Sequence, residues 1–178
     1  EVGLRALGRV VSAIGGKTFS PSMKKTERLY NVLLGIQSKG TCFSTRTLGG
    51  CRIIRGNGNY SEKILICREA RGLPKPLFIE ASTKLMWDSR FQVQFGSNVQ
   101  SGLKISALGE LENYSYDLNF KNCDIPSSAR IVLPTLFDKT GIVCIPHLGF
   151  LRSNEVPIIK NIRFCPPNSI SRVGFFLR

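Results

Sequence analysis

An α+β fold in two parts, a helix pair with a small antiparallel sheet followed by a mostly β region, is what the sequence predicts. Three observations lead there. Apolar residues recur at helical spacing in the first 35 residues and give way to strand-like alternation after them. The run Arg71-Gly72-Leu73-Pro74-Lys75-Pro76 reads as a linker stiffened by its prolines. From Thr83 onward the apolar runs are short, rich in β-branched and aromatic residues, and separated by turn-forming residues. The expected domains are therefore residues 1–75 and 76–178.

Leu4, Leu7, Val10, Val11 and Ile14 form the stripe of a first helix, which Gly15-Gly16 is placed to stop. Ser20-Pro21-Ser22 marks a second start, because proline is tolerated in a first helical turn. Leu29, Tyr30, Leu33 and Leu34 give that helix its apolar face, and Gly35 or Gly40 its end. The two helices are expected to pack as an antiparallel pair. Cys42 to Ile54 alternates as a strand interrupted by Gly49-Gly50, Arg55 to Asn59 is a turn cluster, and Lys63 to Cys67 is a return strand.

In the second part, Trp87 to Phe95 alternates apolar and polar residues as one half-buried strand, and Leu103 to Leu108 is another. Glu110 to Ser128 is polar and reads as a short helix or loop. The centre of this part is Ala129 to Phe150, where two apolar runs flank Asp138-Lys139-Thr140-Gly141, a hairpin signal. Pro134 and Pro146 belong at strand ends or bulges, since proline donates nothing to a ladder. Further strands are expected near Ile158 to Phe164 and Gly174 to Leu177.

Charge is the strongest global signal. The chain has 178 residues and a net charge of +13. Residues 1–75 hold 14 basic and 4 acidic side chains, and residues 76–178 hold 11 and 8. A compact region that basic attracts polyanions, nucleic acid first. No apolar run reaches the roughly 20 residues needed to span a bilayer, so no membrane role is expected. The six cysteines include no Cys-x-x-Cys pair and there is one histidine, which argues against a structural zinc site. Their apolar strand settings suit reduced, buried thiols and a cytosolic protein. The abrupt Glu1-Val2-Gly3-Leu4 start reads as the first turn of a helix in a piece cut from a longer protein.

The sequence carries no Gly-x-x-x-x-Gly-Lys-Ser/Thr loop, no helix-opening Gly-x-Gly-x-x-Gly and no Gly-x-Ser-x-Gly elbow. No catalytic residue, metal ligand or cofactor is therefore assigned within this chain. Binding candidates are plentiful. Lys17, Lys24, Lys25, Arg28, Arg46, Arg52, Arg55, Arg68, Arg71 and Lys75 can meet phosphates through charge. Phe19, Tyr30, Phe43, Tyr60 and Trp87 read either as core residues or as stacking platforms. Arg90, Arg130 and His147 complete the candidate set in the second part, His147 as a structural or RNA-facing side chain.

Five segments together resemble one family. Leu7-Gly8-Arg9-Val10-Val11 with Ile14-Gly15-Gly16-Lys17, Pro21 and the Leu29–Leu34 helix, then Thr47-Leu48-Gly49-Gly50-Cys51 and Ile66-Cys67-Arg68-Glu69-Ala70-Arg71, are similar to the domain that follows the catalytic domain of bacterial tRNA(Ile)-lysidine synthases. Trp87-Asp88-Ser89-Arg90-Phe91, and Leu133 to Asp138 with Ile145 to Phe150, resemble that family's C-terminal domain. The resemblance implies a ligase that adenylates the wobble cytidine of tRNA(Ile) with ATP and magnesium, then joins lysine to it. The family's adenylating motif, Ser-Gly-Gly-x-Asp-Ser in a PP-loop domain, has no counterpart here: Ile14-Gly15-Gly16-Lys17 lacks both the Ser and the Asp. The expected task of this region is to bind and orient tRNA, with a homodimer possible. The other readings are a stand-alone RNA-binding adaptor and a structural or dimerisation module of the ligase.

Overall fold

Helix α1, Val2–Gly15, buries Leu7, Gly8, Val11, Ser12 and Gly15 along one side. It stops where Gly16 turns left-handed (φ 64°), with its N–H donating back to Ala13 O. Helix α2, Met23–Gly35, starts on the Ser22 carbonyl, which accepts from Lys25 N, Thr26 N and the Thr26 hydroxyl. The computed structural model describes residues 1–35, 45–55, 63–97, 99, 101–109, 123–152 and 158–170. Cys42, Phe43, the turn cluster beyond Arg55, Tyr60, most of Glu110 to Ser128, and Gly174 to Leu177 lie outside those residues.

Strands β1 (Arg46–Leu48), β2 (Cys51–Arg55) and β3 (Ile64–Arg68) form an antiparallel sheet in the order β1-β2-β3. The expected interruption at Gly49-Gly50 is a complete reversal, with Leu48 facing Cys51 and both glycines at positive φ. A two-residue turn of that kind matches the twist of the strands it joins. Leu7, Val11, Leu29, Cys51 and Ile53 form the core between the helices and the sheet. Leu34, expected on the apolar face, is exposed instead.

Among the described residues, the second unit contains two antiparallel sheets. One has the order β10-β9-β8-β7-β4, built from Leu77–Phe78 (β4), Lys104–Ala107 (β7), Pro134–Asp138 (β8), Gly141–Ile145 (β9) and Phe150–Leu151 (β10). The other has the order β11-β6-β5, built from Lys84–Trp87 (β5), Phe91–Phe95 (β6) and Ile159–Phe164 (β11). Phe91, Val93 and Phe95 of β6 share a core with Ile105, Leu136 and Val143 of the larger sheet. Alternation sends Phe137, Ile142 and Ile145 to a second cluster, which Leu148 and Phe150 cover. A bulge opposite Leu136 and Phe137 lets Val143 and Cys144 both reach the first core. Pro134 opens β8, Pro146 begins a 3-10 turn, and α3 (Ser127–Arg130) is one short helix.

Two expectations are corrected. Trp87 to Phe95 is not one strand but a hairpin, reversing at Asp88-Ser89, both left-handed without being glycine (φ 49° and 54°). The chain also divides between Arg71 and Gly72 rather than at 75/76, because Leu73 already packs on the second unit's core. The described residues after Phe164 belong with the first unit, where the Asn168 amide donates to Thr18 O at 3.3 Å.

Candidate nucleic-acid interface

In α2, Lys25, Arg28, Leu29 and Val32 are spaced so that they share one face of the helix. In the sheet, Arg46 pairs with Ile53 while Arg52 pairs with Thr47 and Cys67, so the two arginines project from opposite faces. Arg46 thereby falls on the helix-facing side, at the edge strand. Together these residues line a cleft of about 530 Å³, closed by Thr47, Leu48, the Gly49-Gly50 turn and Glu69. Lys25, Arg28 and Arg46 supply positive charge, and Leu29, Val32 and Leu48 an apolar lining. Among the described residues these three cations form no ion pair with Glu69.

The cleft's wall is held by close backbone packing. An added Cβ on Gly15 would run into the Gly49 carbonyl oxygen, and one on Gly49 would lie 2.8 Å from a Val11 methyl. The Cys51 thiol donates to Val11 O at 3.1 Å across the same junction. Gly50 O accepts from Glu69 N at 2.8 Å and from Arg68 Nη1 at 3.0 Å. Arg68 Nη1 also donates to Glu69 O at 3.0 Å. Arg68, 6% exposed, is therefore a clamp on the turn rather than a phosphate contact, which corrects its expected role.

The other candidates are dispersed. Lys17 is exposed beside Gly50, Lys24 is exposed on α2 outside the cleft lining, and Arg55 is exposed at the end of β2. Arg71 is exposed after β3, and Lys75 is exposed in the second unit. Phe19 is 83% exposed, whereas Tyr30 is partly buried with its hydroxyl packed over Gly3. A smaller groove, which sequence reasoning missed, runs past Arg5, Gly8 and Arg9 to Ser20 and Met23. Arg5 there pairs with Glu1. The i, i+3, i+4, i+7 spacing of Lys25, Arg28, Leu29 and Val32 was the signal for the main cleft; Glu69 gave none.

In the second unit the expected contacts are largely internal. Trp87 is fully buried, so it is a core residue and not a stacking platform. Arg90, 4% exposed, pairs with Asp88 at 2.7 Å and lies 5.1 Å from the Phe91 ring centre. That corrects its RNA-facing assignment as well. Arg130 is half-buried on α3. His147 stands at the surface with its ring against the edge of Phe91, centroids 5.1 Å apart. Loss of solvent on the side packed against Phe91, and then the charge of Arg90, hold its imidazole below the usual histidine range. At the β8–β9 turn, Asp138 pairs with Arg152 and accepts from Thr140, which lowers its carboxyl to about 2.

Cys51 and Cys67 are buried thiols, whereas Cys165 is exposed. Among the described residues no three His, Cys, Asp or Glu side chains gather as a metal site, and no helix is long and apolar enough to cross a membrane. Comparison with protein-family models, curated proteins and solved structures gives no match to this chain.

Proposed function

We propose that this chain is a tRNA-binding region of a tRNA(Ile)-lysidine synthase, and that it holds the tRNA for a catalytic domain outside it. The observation that carries the RNA-binding part is the cleft where Lys25, Arg28 and Arg46 converge, in the half of the sequence that holds 14 basic and 4 acidic residues. Cations grouped over an apolar lining suit a polyanion that also carries flat bases. The assignment to the ligase rests on the five-segment resemblance. In this reading the partners are tRNA(Ile), lysine and ATP, the parent enzyme forms a carbon–nitrogen bond, and it works in the cytoplasm, with a homodimer possible.

ATP and magnesium belong to the PP-loop domain in this account. Gly15-Gly16-Lys17 ends a helix instead of opening one, so it presents the negative end of the helix dipole. A phosphate cradle needs the opposite end.

The test is a comparison of unmodified tRNA(Ile) with elongator tRNA(Met), which shares its anticodon in the family's biology, at rising salt. The reading predicts a preference for tRNA(Ile) that persists as salt rises. Weak, salt-insensitive binding of both tRNAs would contradict it.

A further inference from the structure

Resting on the RNA-binding reading, we infer that the cleft between α2 and β1 reads an unpaired guanine, with Glu69 accepting from the base's Watson–Crick edge. A cleft that served phosphates alone would gain nothing from a carboxylate, which repels them. Nor do its neighbours hold Glu69: among the described residues it forms no ion pair with Lys25, Arg28 or Arg46. Its backbone is fixed on both sides, N–H to Gly50 O and C=O to Arg68 Nη1, so its position on the rim is set before a ligand arrives.

An ionised carboxylate only accepts hydrogen bonds, through two oxygens side by side. Guanine is the base whose Watson–Crick edge offers two adjacent donors, N1–H and the N2 amino group. Uracil places its one N–H between two carbonyls, which a carboxylate repels. The apolar residues Leu29, Val32 and Leu48 suit the face of the ring, while Lys25, Arg28 and Arg46 suit the flanking phosphates. A volume of about 530 Å³ accommodates a single nucleotide. Pairing in a duplex would occupy the edge being read, so the guanine must be in a loop, bulge or end.

The experiment measures binding of the full chain to uridine nonamers carrying one central guanosine, inosine, adenosine or uridine. Inosine lacks only the N2 amino group. The guanosine oligomer is expected to bind about tenfold tighter than the inosine one, the scale of one base-edge contact, and tighter still than the uridine one. Glu69→Gln, close to isosteric, should bring the guanosine and inosine oligomers to within about twofold. Glu69→Lys should strengthen binding of the uridine oligomer while erasing the preference. Equal affinity of the unaltered chain for all four oligomers would overturn the guanine assignment and leave RNA binding standing. Failure to bind any oligomer or tRNA would overturn both.

Discussion

Arg46 and Arg90 show how differently the two units use an arginine in a hairpin. Arg46 lies on an edge strand, exposed, on the rim of a cleft it shares with two cations from α2. Arg90 closes a turn, packs over Phe91 and is tied to Asp88, with both side chains only 5% exposed. The first arrangement leaves charge available to a ligand; the second spends it on holding a reversal whose Asp88 and Ser89 sit in a left-handed conformation. Local charge in a sequence thus says little about availability. Strand register and burial decide it.

The largest effect should come from breaking the internal pair. Arg90→Ala removes the guanidinium that faces the buried Asp88 carboxylate, and the second unit should lose about 3–5 kcal/mol. Trp87 is the chain's single tryptophan and lies in that core, so its fluorescence during urea unfolding reads this unit alone. RNA affinity of the folded fraction should be unchanged; a fall would mean that Arg90 reaches RNA after all. Next comes Gly15→Ala, which forces α1 away from the Gly49-Gly50 turn and should cost the first unit about 1–3 kcal/mol. Its readout is the helical far-ultraviolet signal, since α1 and α2 both lie in that unit. Because the turn walls the cleft, RNA affinity should fall with it, unlike in the Arg90 variant.

The same contrast explains what was legible in the sequence. Helices α1 and α2, the β8–β9 hairpin and the α+β class follow from periodicity and from Gly and Pro placement. The Trp87–Phe91 reversal does not, because Trp87, Phe91, Val93 and Phe95 keep one period-2 register across it and neither left-handed residue is a glycine. Lys25 and Arg28 could be placed on one helix face by spacing. Arg46 and Arg52 could not be separated until pairing fixed which face each occupied. Arg68 looked exposed within a polar run, yet the carbonyls of Gly50 and Glu69 draw it inward.

The smallest effects concern pH. The folded state holds His147 below its usual value, so it disfavours the charged form. Its influence is absent above about pH 6.5, and stability falls as pH drops below that, since the unfolded chain binds the extra proton. In His147→Gln this sensitivity should disappear from the Trp87-detected unfolding profile. Asp138 behaves in the opposite range. Its carboxyl, lowered from 3.8 to about 2, contributes above pH 3.8, and the contribution is lost as pH falls towards 2. Asp138→Asn should flatten the profile there, and an unchanged acid limb would show that the Arg152 pair contributes nothing.

The central claim is that the cleft of the first unit, and not basic charge at large, meets the RNA backbone. The most direct measurement is the salt dependence of tRNA affinity for the unaltered chain and for the combined Lys25→Ala, Arg28→Ala, Arg46→Ala variant. Each lost phosphate contact should reduce the slope of log affinity against log salt by roughly 0.9, so the triple variant should be shallower by about 2.7. Thermal stability should stay near that of the unaltered chain, since these side chains lie outside the core. A shallower slope with intact folding is the predicted result. An unchanged slope would contradict the account and move the RNA-binding surface elsewhere on the molecule.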